Sequence, residues 1–159
     1  MLFDLFAGSG TPTFDTESKA AILGLTFATS RADVARAILE GLTYELRLNL
    51  DLLQAGGVQI DVLRAIGGGA KSPYWLQLKA DITGIPVVTP RITEAAGFGA
   101  ALLAGAGAGL FPSAAEAAQR FLRLTGECRP DPARHAAYTR QFGLYRQVYP
   151  AVASISHQL

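Results

Sequence analysis

Val62-Leu63-Arg64-Ala65-Ile66-Gly67-Gly68-Gly69-Ala70-Lys71-Ser72-Pro73 holds the turn on which the reading of the fold depends. Val62 to Ile66 reads as a short strand. The glycines that follow let the chain turn sharply and leave its backbone open to a ligand, since no Cβ intervenes. Ser72 is a good N-cap, and Pro73 suits the first helical position, where its missing N–H would be unpaired anyway. The helix so begun runs from Pro73 to Thr83, with Gly84 as its stop. Pro86-Val87-Val88-Thr89, closed by Pro90, is a second strand. Strand, helix and strand in that order predict an α/β layer with parallel pairing.

Outward from this unit the chain is mostly helical. Thr29 or Ser30 can cap a helix from Arg31 to Gln54, ended by Gly56-Gly57. Its apolar residues Val34, Ala35, Ile38, Leu39, Leu42, Leu46, Leu50 and Leu53 recur in steps of three and four and form one stripe. Thr93 can cap an Ala/Gly helix within Ala95–Phe111, a run of 17 residues without a charge. Five glycines keep that run's apolar content low, and it is short for a membrane span, so it reads as a buried, close-packed helix. Ser113 and Glu116 make a capping box for a helix to about Leu124. Asp131-Pro132 opens the last helix, in which Tyr138, Phe142, Tyr145 and Tyr149 form an aromatic core stripe. Residues 1–18 read as an irregular lead-in, and Ala21 to Phe27 as either a strand or extended chain. Two strands make a marginal sheet on their own, so the sheet reads as incomplete.

Composition sets further bounds. The chain has 159 residues, 50% hydrophobic and 17% charged, with net charge +1. A chain of this length can bury about 70% of its unfolded surface. Its hydrophobic content is too high for intrinsic disorder, and its charge balance argues against nucleic-acid binding. Residues 113–159 hold 6 arginines against 3 acidic residues, which reads as a solvated helical surface. Cys128 is the single cysteine, which excludes an intrachain disulfide and fits a cytoplasmic protein. No signal peptide or membrane segment is recognised.

Ile66 to Pro73 is the segment that carries chemistry. Free N–H groups and the positive end of a helix suit an anionic or nucleotide ligand. The spacing departs from both standard phosphate loops. Ala70 stands where a Walker loop needs the Gly before Lys, and Ser72 stands where the dinucleotide pattern needs Gly. A ligand cradle and a plain tight turn both remain open. Lys71 can reach a phosphate or be solvated. Tyr74 or Trp75 can stack on a base, and Trp75, which shares a helix face with Leu78 and Ile82, reads better as core. Asp15, Asp33, Asp51, Asp61 and Asp81 are scattered and read as caps or surface charges. His135 and His157 stand alone.

Several stretches taken in order carry a family likeness. Phe6-Ala7-Gly8-Ser9-Gly10-Thr11-Pro12 looks like a Gly-x-x-x-Pro loop. The run from Ala20 through Gly24-Leu25 and Asp33-Val34 to Ala37-Ile38-Leu39-Glu40 fits a family signature. Gly67 to Trp75 looks like an adenosine motif and is followed by Thr93-Glu94-Ala95-Ala96-Gly97-Phe98-Gly99-Ala100-Ala101. With the final Tyr-rich helix, these resemble the C-terminal part of the FGGY carbohydrate kinases. The resemblance implies a ribonuclease H-like/actin-like ATPase domain with an incomplete sheet and several helices. It divides the chain into a lead-in loop, 1–18, and a partial nucleotide-binding domain, 19–159.

The resemblance also implies a function. FGGY kinases transfer the γ-phosphate of ATP, with Mg2+, to a sugar hydroxyl, here that of a xylulose-like ketose or related polyol. Nucleotide-binding positions carry over to Gly68, Gly69, Ala70, Ser72 and Pro73. Pro73 stands where the glycerol-kinase branch has Asn, so backbone contacts are expected there. The family's catalytic Asp and its sugar site lie upstream of the matching segment, so no catalytic or metal-binding residue is assigned, and none of Asp4, Asp15 or Asp33 is promoted. The chain is expected to be inactive alone and to meet sugar only with an N-terminal domain. The alternative is a non-catalytic interaction or complementing subunit, as a homo-oligomer or with another chain, with no nucleic acid or membrane partner. A natural split gene and a truncated product both fit the sequence.

Overall fold

The computed structural model describes residues 1–3 and 5–159. They fall into two compact units: Met1–Ile60 with Asp81–Gly84 and Pro130–Leu159, and Asp61–Ala80 with Ile85–Arg129.

In the first unit, β1 (Leu2–Phe3) pairs antiparallel with β2 (Ala21–Ile22). The lead-in therefore contains a strand, which alternation could not reveal in two residues. Leu2, Phe3 and Leu5 are all buried. Helix α1 (Arg31–Ala55) starts as expected: Ser30 and Asp33 cap each other reciprocally. Its buried face departs in part from the leucine stripe, of which Leu50 is buried. Gly41, Thr43, Tyr44 and Leu50 are buried, whereas Leu42 and Leu53 are 42% and 50% exposed. The reason is a close approach at Gly41, where a Cβ would lie 2.6 Å from the Leu2 carbonyl oxygen. The backbone of β1 rests on the helix there, and so selects the face that carries Tyr44.

The final helix, which we call α5 (Pro132–Ser156), is capped by Asp131, whose side chain accepts the Arg134 N–H. Its aromatic stripe is core as expected. Phe142, Tyr145 and Val148 are buried. The Tyr44 ring lies 5.8 Å from that of Phe142 and 5.0 Å from that of Tyr145, and Phe3 lies 5.5 Å from Tyr145.

The second unit holds β3 (Leu63–Arg64), most of α2 (Pro73–Thr83), β4 (Val87–Pro90), α3 (Ala95–Gly107), α4 (Ala114–Phe121) and β5 (Leu124–Cys128). β3 and β4 are parallel, as the strand–helix–strand order demands. β5 was not foreseen, and it pairs antiparallel with β4, so the sheet is mixed, in the order β3-β4-β5. Its sequence, Leu-Thr-Gly-Glu-Cys, has weak strand propensity, and pairing with β4 supplies what propensity lacks. Helix α4 accordingly stops at Phe121. Leu76, Ala80 and Val87 form the core, with Leu63, Ala65 and Cys128 packed against it.

Helix α3 corrects another expectation. Only Leu102 and Gly105 are buried in it, and Leu103 is exposed. Its N-cap residue is Glu94, not Thr93, and no side chain caps it. Among the described residues no helix is long and apolar enough to cross a membrane.

Candidate functional site

β3 and β4 each run into a turn and then a helix, so the first turns of α2 and α3 both follow the carboxyl ends of neighbouring parallel strands. Ligands of open α/β sheets bind beyond such ends. After β3, Gly67 takes a left-handed φ of 72° and Gly68–Lys71 form one 3-10 turn. The opening N–H groups of such a turn have no acceptor within it.

The two crossovers are joined at two points, Gly67 to Thr93 and Lys71 to Glu94. The Gly67 N–H donates to the Thr93 carbonyl at 2.8 Å, and the Ala95 N–H donates to the same oxygen at 2.9 Å. Lys71 Nζ meets Glu94 Oε1 at 3.0 Å. The ammonium therefore pairs with a carboxylate while both side chains stay exposed to solvent. Thr93 serves through its carbonyl instead of through a capping hydroxyl.

The five expected binding residues divide by environment. Gly68 is exposed, and among the described residues nothing lies within 4 Å of the place a Cβ would occupy. Ala70 is buried, so any ligand contact there would be through its backbone. The Ser72 hydroxyl accepts the Trp75 N–H at 3.3 Å, the N-cap bond read from the sequence. Pro73 is exposed at the first position of α2. Gly69 is half-buried: a Cβ on it would lie 3.0 Å from Trp75 Cζ3 and 3.3 Å from Cε3.

Trp75 thus packs under the glycine turn. Buried Leu76, Leu78 and Ala80 take the interior places on α2 in this unit. Lys79 Nζ lies 4.3 Å from the Trp75 ring centroid, one turn along the helix, and burial lowers its pKa. With the indole so engaged, Tyr74, 52% exposed, is the aromatic of this helix that remains open to solvent. Lys79 had no sequence signal beyond its i,i+4 spacing from Trp75.

Polar clusters in the first unit were also missed. Asp81 is 3% exposed and accepts from the Asp131 N–H at 2.9 Å and Arg134 Nε at 2.7 Å. It is neither a cap nor a surface charge, and neighbouring His135 bonds its carbonyl through Nδ1. Asp15 Oδ2 accepts from the Tyr149 hydroxyl at 2.8 Å and contacts His157 Nε2 at 2.6 Å. These bonds, the one from His157 first, hold its carboxyl at a pKa of about 2. Asp33 is spent on the cap of α1, and Asp4 lies outside the described residues. Among the described residues no group of three or more His, Cys, Asp or Glu side chains is placed to hold a metal ion.

The architecture is that of an actin-like ATPase domain, as its structural neighbours show. Residues 2–108 match the C-terminal domain of the FGGY family of carbohydrate kinases, and the chain belongs to that family. It is 31% identical over 153 residues to a xylulose kinase from Staphylococcus epidermidis, covering 96% of this chain and 31% of that protein. A ligand-bound xylulose kinase from Lactobacillus acidophilus superposes with TM-score 0.83 at 27% identity, over 96% of this chain and 31% of the other. Plasmodium falciparum glycerol kinase, solved with ADP, gives TM-score 0.76 at 26% identity, over 92% of this chain and 30% of the other. The chain thus spans about a third of the length of these relatives.

Proposed function

We propose that this chain is the ATP-binding C-terminal part of a cytoplasmic sugar kinase acting on a xylulose-like ketose or related polyol. The observation that carries the reading is the open backbone of Gly68, set at the carboxyl end of β3 beside the start of α2. A Cβ there would fill the approach that a nucleoside needs. Gly68 and Gly69 would meet the nucleotide through their backbone, and exposed Pro73 would border it. Ala70 and Ser72 would hold the turn in shape. Tyr74 is the side chain open to a base, a contact worth about 1–3 kcal/mol on nucleic-acid platforms.

The reaction breaks the bond between the terminal phosphorus of ATP and its bridging oxygen, forms one to the sugar hydroxyl oxygen and releases ADP. Positioning and charge stabilisation supply most of such catalysis. A base must take the hydroxyl proton, and Asp15 and Asp33 are already bound to other partners in this chain. The chain alone is therefore inactive in this reading, and the base and sugar contacts come from an N-terminal domain. Magnesium would arrive on the nucleotide phosphates, since the described residues offer it no ligand cluster.

Calorimetric titration of the chain with ADP and magnesium tests the reading. Gly68→Asp is the better variant, because open space accepts its side chain without disturbing the fold, whereas Gly69→Asp would strike Trp75. We expect saturable binding that Gly68→Asp abolishes while circular dichroism is unchanged. Equal affinity in the folded variant would refute the site.

A complementing subunit is the second reading. Ile22, Leu23, Leu25 and Phe27 are exposed in and just beyond β2, in a sheet of two strands, and open sheet edges invite pairing. Light scattering on the same sample would support its homo-oligomeric form with a mass above 16.8 kDa and remove that form with a monomer.

A further inference from the structure

We infer that Trp75 is a positioning residue that holds the 67–71 turn in the shape a nucleotide would meet, an inference that rests on the nucleotide reading above. Two contacts of the second unit converge on its ring, and a third fixes its backbone. Gly69 lies so close to the indole that a Cβ would be 3.0 Å from Cζ3. Lys79 holds its ammonium over the same ring at 4.3 Å. The Trp75 backbone N–H donates to the Oγ of Ser72, the last residue before the helix. Turn, cap and first helical turn thereby meet at one residue, the turn through its ring and the cap through its backbone.

The physical need for such a brace follows from the turn itself. Three consecutive glycines have more backbone freedom than any other sequence. A ligand that meets them through N–H groups would have to order them on binding, and that ordering subtracts from affinity. A flat ring against Gly69 removes part of this freedom before the ligand arrives. The fit also explains why residue 69 must be small on the ring side, while Gly68 is open on its own side. Lys79 in turn limits the indole's rotation by a cation–π contact. An indole edge spent on Gly69 and a face spent on Lys79 leave Trp75 little part in base stacking.

Trp75→Leu and Trp75→Phe test this in the full chain by amide hydrogen exchange and calorimetric titration with ADP and magnesium. Leucine lacks a flat ring, and phenylalanine keeps one. We expect residues 67–71 of Trp75→Leu to exchange about tenfold faster, with β3 and β4 unchanged, as a local opening would give. ADP affinity should fall by about tenfold through lost preorganisation, and Trp75→Phe should restore both. Trp75 is the single tryptophan, so ADP should also change the wild-type indole emission, and Gly68→Asp should suppress that change. Unchanged exchange in 67–71 would overturn the brace, as would loss of protection throughout β3 and β4, which would mark an ordinary core residue. Unaltered ADP affinity in Trp75→Leu would overturn the positioning role alone. No ADP binding by the wild-type chain would overturn the nucleotide reading and this inference with it.

Discussion

Gly41→Ala sets two effects of opposite sign against each other. Gly41 sits in the middle of α1, where alanine is favoured over glycine by about 1 kcal/mol. The added Cβ would, however, lie 2.6 Å from the Leu2 carbonyl oxygen. Carbon–oxygen contacts of this kind normally begin near 3.3 Å, so β1 would have to retreat by about 0.7 Å. It has little room to do so, since Leu2 and Phe3 are buried and Phe3 packs on Tyr145 and Tyr149. Overpacking costs about 1–3 kcal/mol, and the upper end applies because no rotamer change can move a backbone carbonyl. The clash therefore wins by about 2 kcal/mol, or about thirtyfold in the folding equilibrium. Urea unfolding followed by far-ultraviolet circular dichroism would read this as a lower midpoint. Gly143→Ala in α5 is the control, since nothing lies within 4 Å of its Cβ position, and it should gain up to about 1 kcal/mol. If Gly41→Ala stabilised the chain as Gly143→Ala does, the packing of β1 on α1 would be refuted.

Other expectations follow from the same unit. Gly84 has φ 74° and a Cβ position 2.6 Å from His135 Cε1. Gly84→Ala should cost more than the roughly 1–2 kcal/mol of a left-handed alanine, and calorimetric unfolding should show His135→Ala relieving the excess. The Tyr44 hydroxyl is buried without a hydrogen-bond partner among the described residues, and burial pushes its pKa up. Tyr44→Phe should leave stability unchanged or raise it by about 1 kcal/mol, and a clear loss of melting temperature would contradict that. Asp15 has its pKa lowered from 3.8 to about 2 in the folded chain. Its contribution is therefore complete above the unfolded pKa near 4 and is lost as pH falls from there toward 2. Asp15→Asn should flatten stability against pH in that window. Asp33 and Asp131 are lowered too, so part of the slope should survive, and an unchanged slope would remove Asp15 from this role.

The candidate site was legible because its signals are local. Glycines in series, Ser72 before Pro73 and β-branched Val87 and Val88 act over a few residues, and each element formed where they stand. The cap of α2 was readable down to its hydroxyl bond. What surrounds the turn was not. Glu94 reaches Lys71 from 23 residues away, and whether an ammonium is solvated or paired depends on what the fold brings beside it. Trp75 looked like core because periodicity marks a helix face without saying what covers it.

The same division holds for the chain as a whole. By itself the sequence determined the helices, the caps of α1, α2, α4 and α5, the parallel β3–α2–β4 unit and the family likeness, since these depend on neighbouring residues and ordered motifs. Tertiary structure alone decided that β1 and β5 exist, because two apolar residues and a glycine-containing strand become strands only when a partner supplies the hydrogen bonds. It also decided which face of α1 is buried, through the contact at Gly41, and made Asp15 and Asp81 hubs of bonds from the C-terminal helix. Each of these rests on atoms far apart in the chain, and no local pattern of residues encodes them.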